Sequence, residues 1–432
     1  MGLHGDVKKF LRVRFPSSVG DAVPETQCDV LVCDHMWLLF KFHPDEGAAT
    51  GEDLVDFIWR PMLRFFRAGG SSYACVFDVP ERVPVAKAEE HKKRYGSGPR
   101  PEKPTGTCSP SSLPLPWHAA LADRRARGDV CAYIARGIVA RFESHADELK
   151  DKELVVSGVG GEVVRADAKG SRVWKEHAAV AEVGEGDLAV AYWVNHFADR
   201  SVVARVLDTD QIPILMLRAK LSRRVAPLHV WLVSPKTGGS DERSHGYECI
   251  PPEGHTLVDV LGLNDEMERT TRASVEEWVF WIIAQKTDFV DKIVQNLGVA
   301  STLAALEEDA ARPPVSTAAS AVRTMFGRRG ETTSNPRRPI VRVTASRATC
   351  DSREMSIRFG SAIASAKRKR ATIREDADVE FRRAWWTLLY WSYGWDGPLR
   401  ESLRPRPAFG FDERGMRAKA KEDVSFPDYI SG

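Results

Sequence analysis

No stretch of about 18 consecutive apolar residues occurs anywhere in the 432-residue chain, so no helix long and apolar enough to span a bilayer is expected. An apolar signal core is missing from the first 30 residues, and the sixth residue is Asp6 where a myristoylation signal carries Ser or Thr. The expectation is an intracellular protein with no membrane partner. A dominant charge is also missing: 62 Lys and Arg stand against 60 Asp and Glu, a net of +2. Whole-chain charge therefore selects no nucleic-acid partner, and only local clustering can. The seven cysteines are scattered and form no C-x-x-C pair, which excludes a disulfide scaffold or a thiolate zinc site and points to free thiols in a reducing compartment. His245, Cys249 and His255 are too loosely spaced for zinc and read as loop residues. With 43% hydrophobic and 28% charged residues, the chain is globular, not disordered, and long enough for two or three domain-sized units.

Residues 1–300 alternate short β-rich runs with helical patterns, as an α/β domain with a largely parallel sheet does. Acids stand at the ends of three runs. Cys28–Cys33 leads into Asp34, Tyr73–Phe77 into Asp78, and Ser201–Leu207 into Asp208 and Asp210. Ligands of open α/β sheets bind at the carboxyl ends of strands, so these acids are expected to share one crevice. Gly184-Glu185-Gly186-Asp187 precedes an apolar helical segment, which puts Glu185 and Asp187 at a helix entrance. Asp288 follows the apolar helix Val275–Ile283. Seven carboxylates in one crevice need divalent cations to offset their repulsion, and hard oxygen ligands without His or Cys select Mg²⁺ or Mn²⁺. Two such ions are the apparatus of in-line phosphodiester hydrolysis. A lone Asp-x-Asp after a strand is ordinarily a turn or helix cap; the weight lies in the joint pattern.

Around this core, residues 96–116 are rich in Pro, Gly and Ser and read as a mobile insertion. Ala119–Lys150 reads as one or two long basic helices carrying Arg124 and Arg125, either a solvated face or a nucleic-acid surface, with Trp117 a stacking residue in the second case. Gly158-Val159-Gly160-Gly161 reads as a hairpin turn. Residues 301–375 form a basic low-complexity tether, ending in Lys367-Arg368-Lys369-Arg370, which reads either as a nuclear or nucleic-acid patch or as a solvated charge run. Residues 376–432 carry an aromatic helix, with Trp385, Trp386 and Trp391 as core, and a tail.

The order of these segments resembles the 5′ nuclease superfamily of flap endonucleases and Xrn-type 5′→3′ exoribonucleases. MGLHGDVKKFLRVRFPSSV resembles their Met-Gly start and short helix, and LVCDHMWLLFKF their first metal-binding aspartate segment. YACVFDVPERVPVAKAEEHKKR resembles their strand-aspartate segment followed by a basic helix. GEGD is similar to Gly-Glu-x-Glu, LDTDQI to the Asp-x-Asp pair, and KTDFV to the last aspartate motif. The resemblance implies a PIN-like α/β fold over 1–300, with 79–183 as an arch or gateway insertion. It implies that Asp34, Asp78, Glu185 and Asp187 hold or orient one catalytic metal and that Asp208, Asp210 and Asp288 hold the second. Lys87, Lys92 and Arg94 would lie on the scissile phosphate, Gly2 near the scissile region, and Lys93, Arg124 and Arg125 on the nucleic acid. The implied activity is Mg²⁺-dependent 5′ nuclease action on DNA or RNA, endonucleolytic or exonucleolytic, with a place in DNA replication or repair; nuclear residence is an expectation from the Lys367–Arg370 cluster. Flap endonucleases continue past the last aspartate with a Gly-Ile-Gly-Pro hairpin that grips duplex; this chain has VDKIVQNLGVASTLAALEED instead. A catalytically silent nuclease-fold scaffold is the alternative.

Overall fold

The computed structural model describes residues 5–20, 28–42, 44, 49–78, 103–159, 161–181, 183–233, 256–271, 275–285, 287, 289–290, 294–295, 372–373, 377–394, 403–405, 407–412 and 414–415. They fall into two compact units. The larger comprises Pro16–Val83 and His91–Leu263, and the smaller includes Met1–Phe15 and Asn264–Gly432. The strands are β1 (Val19–Gly20), β2 (Val30–Asp34), β3 (Ser72–Val76), β4 (Glu153–Val159), β5 (Glu162–Asp167), β6 (Gly170–Val173), β7 (Val202–Val206), β8 (Leu228–Leu232), β9 (Thr256–Asp259), β10 (Val294–Gln295) and β11 (Thr372–Ile373). The helices are α1 (Gly5–Arg14), α2 (Met36–Lys41), α3 (Gly51–Arg67), α4 (Trp117–Ala122), α5 (Arg124–Ser144), α6 (Ala178–Ala181), α7 (Gly186–His196), α8 (Gln211–Ser222), α9 (Val260–Thr271), α10 (Val275–Gln285) and α11 (Ala377–Tyr393).

The larger unit is built on a nine-stranded sheet in the order β1-β9-β8-β7-β2-β3-β4-β5-β6. Its centre, β8 through β4, is parallel, and both flanks are antiparallel. The central strands are mainly apolar and buried along their length except at Asp34, as strands covered by helices on both faces are. Fold class is thus mixed α/β with a large, mostly parallel sheet flanked by helices. The hairpin expected at Gly158–Gly161 is present: Val159 pairs with Glu162 across it.

Helix α3 begins with a capping box, in which the Thr50 side chain accepts from Asp53 N and Asp53 accepts from Thr50 N. Its buried face, including Leu54, Ile58, Met62 and Phe66, packs in one core with Val130, Ile134, Ile138 and Phe142 of α5. Arg141 of α5 reaches back to Glu52 at 2.5 Å and Asp56 at 3.1 Å on α3. This corrects the arch expectation. From Trp117 to Ala181 the described chain is part of the body, since α5 packs on α3 and β4 enters the sheet beside β3.

The Pro-rich segment is corrected in the same way from residue 103 onward. Thr105 and Leu115 exchange backbone hydrogen bonds of 2.9 and 3.0 Å, Ser109 and Ser112 close a tight turn, and Pro110 O accepts from Glu52 N at the start of α3. Leu113 is buried, and Trp117 is 8% exposed with its indole N–H donating to Leu39 O at 3.0 Å. Trp117 is a core anchor, not a stacking platform. Composition alone hid two apolar anchors that hold the segment down.

Arg224 staples the connection between α7 and β7. Its guanidinium donates to four backbone carbonyls, those of Val194, Arg200, Ala226 and Pro227. Burial pulls its pKa down to about 10. Arg224→Met is expected to cost ~2–3 kcal/mol, because it leaves the buried Val194 carbonyl without its donor and removes three further hydrogen bonds. Urea unfolding followed by circular dichroism measures the loss, and an unchanged midpoint would contradict the staple.

In the smaller unit, α10 packs against α11. Trp386 stacks on Tyr390 at 4.7 Å, meets Phe289 and Phe411 edge-on, and donates its indole N–H to Leu403 O at 2.7 Å. The aromatic helix expected as core is core. Within it lies a buried ion pair, Arg383 to Glu380 at 2.7 Å, with Arg383 Nε also donating to Gly410 O. The unit boundary inside α9 departs from the expected one at residue 300, because α10 belongs with α11.

Candidate functional site

The central strands β7, β2 and β3 lie side by side and run parallel. Their carboxyl ends carry Asp34, the last residue of β2, Asp78, two residues beyond β3, and Asp208, two beyond β7. This is the crevice edge expected from sequence, and a fourth element completes it. Glu185 is the N-cap residue of α7, so Asp187 sits in that helix's first turn.

Hydrogen bonds tie these pieces together. Gly186 N donates to Asp78 Oδ1 at 2.7 Å, which fixes the start of α7 over the end of β3. A Cβ placed on Gly186 would lie 2.7 Å from Asp78 Oδ1 and 3.9 Å from Asp34 Oδ1, so both carboxylates face this one residue and a side chain there would displace the Asp78 carboxylate. Gln211 at the start of α8 donates its side-chain N–H to Asp187 O at 3.1 Å, joining the Asp208–Asp210 turn to the same helix entrance. Asp34 Oδ1 accepts from Met36 N at 2.9 Å, and Asp208 Oδ1 accepts from Asp210 N at 3.0 Å. Glu185 and Asp210 are buried, at 3% and 5% exposure, while Asp34, Asp78, Asp187 and Asp208 are half-buried.

Beneath the acids the environment is apolar and contains a buried cation. Arg205 on β7, 3% exposed, lies 4.8 Å from the Trp37 ring and 4.6 Å from the Trp231 ring. Burial drives the Cys33 thiol up to about 12, against the opposing pull of Arg205. His35 is fully buried between Tyr73 and Phe77, with Nδ1 at 3.0 Å from Cys33 O and no hydrogen-bond partner for Nε2 among the described residues. Burial lowers its pKa to about 4, with Arg205 acting in the same direction. Because the unfolded imidazole titrates near 6.5, the unfolded chain binds a proton between pH 6.5 and 4 that the folded chain refuses. His35 therefore contributes stability that is whole above pH 6.5 and lost as pH falls toward 4, on the order of 2–3 kcal/mol. His35→Gln is expected to flatten the dependence of the urea midpoint on pH between 7 and 4.5, and an unaltered slope would refute this.

Of the expected site residues, Asp34, Asp78, Glu185, Asp187, Asp208 and Asp210 lie at this edge. Asp288, Gly2, Lys87, Lys92, Lys93 and Arg94 lie outside the described residues, as do His245, Cys249, His255 and Lys367–Arg370. Arg124 and Arg125 are exposed in the first turn of α5, which Asp123 caps through Ala126 N. Among the described residues no three His, Cys, Asp or Glu side chains are drawn together as a metal-binding group. The donors nevertheless suit a hard divalent cation in type: carboxylates alone, several anchored through one oxygen by a backbone amide. Sequence reading passed over Gln211 and Gly186, although Gln211 directly follows the LDTD run and Gly186 separates the two acids of GEGD. Among the described residues no helix is long and apolar enough to cross a membrane.

No family model matches this chain, and no curated protein matches it.

Proposed function

We propose that this protein is a divalent-cation-dependent phosphodiesterase of the 5′ nuclease type, with a PIN-like fold, acting on DNA or RNA. The observation that supports it best is the gathering of Asp34, Asp78, Asp208 and the Glu185–Asp187 helix entrance at one edge of three adjacent parallel strands. Mg²⁺ or Mn²⁺ bound there would polarise the scissile phosphate and activate water. The chain's own part is to orient. Gly186 N holds Asp78, Met36 N holds Asp34 and Asp210 N holds Asp208, so each carboxylate enters the site already fixed by one oxygen. Lys87, Lys92 and Arg94 would meet the phosphate on this reading.

A second reading has its own support. The same three hydrogen bonds are ordinary helix and turn caps, and no three-ligand group is drawn together among the described residues. A silent scaffold that binds nucleic acid or protein would need nothing more.

A substrate panel separates the two. Purified protein with Mg²⁺, then Mn²⁺, is assayed on 5′-flap DNA, gapped duplex, single-stranded DNA and 5′-phosphorylated RNA. Junction cleavage or a mononucleotide ladder is expected. Silence on all four, with no heat of Mn²⁺ binding by calorimetry, would favour the scaffold.

A further inference from the structure

A second site lies at the opposite edge of the sheet. A polar cavity of about 390 Å³ opens where β3 and β4 begin and where β5 turns into β6. Because β3 and β4 are parallel, this is the amino end of the strands whose carboxyl ends carry the acids. Its chemistry is also the reverse, since cations outnumber acids in its lining.

The acids are already answered. Arg165 Nε lies 2.6 Å from Glu153 Oε1 and 3.5 Å from Asp167 Oδ2, and Arg172 makes a bidentate contact to Asp167 at 2.8 and 3.0 Å. The Arg172 hydrogen bond holds the Asp167 carboxyl down at about 2, so it remains ionised and paired. Arg165 is steadied further by the Trp174 ring, 4.7 Å from its guanidinium carbon. Four cations of the lining, Lys150, Lys152, Lys169 and Arg200, have no carboxylate within ion-pair distance among the described residues, and Asp151 is the one acid left to face them. Arg200 is placed by a structural relay: its NH1 donates to Ser72 Oγ at 2.6 Å, and Ser72 Oγ donates to buried Glu153 at 3.0 Å. A buried carboxylate thus holds a guanidinium at the cavity wall, over the Phe197 ring at 5.4 Å.

We propose that this cavity binds a small phosphate-bearing anion, such as pyrophosphate or a phosphomonoester. Lysines without an ion-pair partner among the described residues and a pre-oriented guanidinium lining one cavity are the donor set that phosphate oxygens take. The lining contains no aromatic side chain on which a base could stack, and Asp151, Glu153 and Asp167 would repel a long polyanion laid along it. Size and charge pattern both favour a compact anion over a nucleic-acid strand. The inference is independent of the nuclease proposal, since it shares no residue with the acidic edge.

The test is calorimetric titration of the full chain with inorganic pyrophosphate, in EDTA so that no divalent cation mediates binding. The comparison is with Lys150→Glu/Lys169→Glu, two exposed positions whose reversal leaves the core intact, and with Asp208→Asn at the opposite edge. Saturable binding is expected in the unaltered chain and in Asp208→Asn, weakened about tenfold or more in the double variant. Circular dichroism checks that the double variant is folded. No binding to the unaltered chain, equal binding to the double variant, or loss in Asp208→Asn would overturn the proposal. A short single-stranded oligonucleotide forms the second arm; if the double variant loses oligonucleotide binding while pyrophosphate never binds, the surface serves a strand and the small-anion proposal fails.

Discussion

Asp78→Asn is expected to reduce metal-dependent phosphodiester hydrolysis by roughly 10²–10³-fold, the scale on which losing one preorganised electrostatic group acts, while the protein stays folded. The substitution discriminates because of what Asp78 already does. Its Oδ1 accepts the Gly186 amide at 2.7 Å, which is a capping contact for α7. Asparagine keeps a carbonyl oxygen in that position and retains the hydrogen bond, losing only the attraction of a full charge for the helix terminus, ~0.3–1 kcal/mol. A capping role therefore predicts a slightly less stable protein with unaltered turnover. A metal-binding role predicts collapse of turnover, because the neutral amide is a poor ligand for Mg²⁺ and the crevice loses one of the charges that draw the ion in. Asp34→Asn and Asp208→Asn obey the same logic through Met36 N and Asp210 N. Measuring hydrolysis rate and urea midpoint on the same preparation reads both quantities. Full activity in Asp78→Asn would end the nuclease reading even if the fold were undisturbed.

The acids at the strand ends were legible in the sequence for a local reason. A five-residue apolar run followed at once by Asp needs no distant information, and the parallel sheet brings the ends of β7, β2 and β3 to one edge. The N-terminus of α7 was legible likewise, since Gly184–Asp187 precedes an apolar helical period. What composition could not carry is which remote segments meet. Ser72 pairs with Glu153 across a long interval, so the stretch between read as an inserted arch when it is helical layer and strand. The Pro-rich segment read as mobile because its anchors, Leu113 and Trp117, are two residues among many turn formers. The boundary near residue 264 was hidden for the same reason: α10 finds its partner in α11, about a hundred residues later. The cavity at the amino edge is assembled from four separated stretches, and no one of them has the spacing of a motif. Local chemistry marks a strand end, whereas a wall built from several loops exists only once the sheet is paired.

Gly158→Ala carries the second large expected effect, and it connects the sheet to the acidic edge. Gly158 lies at a register irregularity of β4 against β5, with φ at +96°, a conformation that costs an L-residue ~1–2 kcal/mol. Space is tighter still. A Cβ there would stand 2.0 Å from Phe77 O, a backbone atom that cannot rotate away as a side-chain tip can. Phe77 N donates to Ser157 O at 2.9 Å, so the carbonyl is held within the β3–β4 pairing, and moving it strains that pairing. Backbone strain and overpacking together are expected to cost ~3–4 kcal/mol. The displaced peptide is the one immediately before Asp78, so the methyl group should also shift the carboxylate that Gly186 N holds. On the nuclease proposal, Gly158→Ala should lose activity well beyond its loss of folded protein, when assayed at low temperature where the variant is still native by circular dichroism. Gly170→Ala is the control, since its φ is +90° and a Cβ placed there would meet nothing within 4 Å. It should destabilise through backbone strain alone and leave the rate per folded molecule unchanged. Equal rates for the two variants would uncouple the hairpin from the site; a selective loss in Gly158→Ala would show that the Phe77–Asp78 backbone must stay where the glycine allows it.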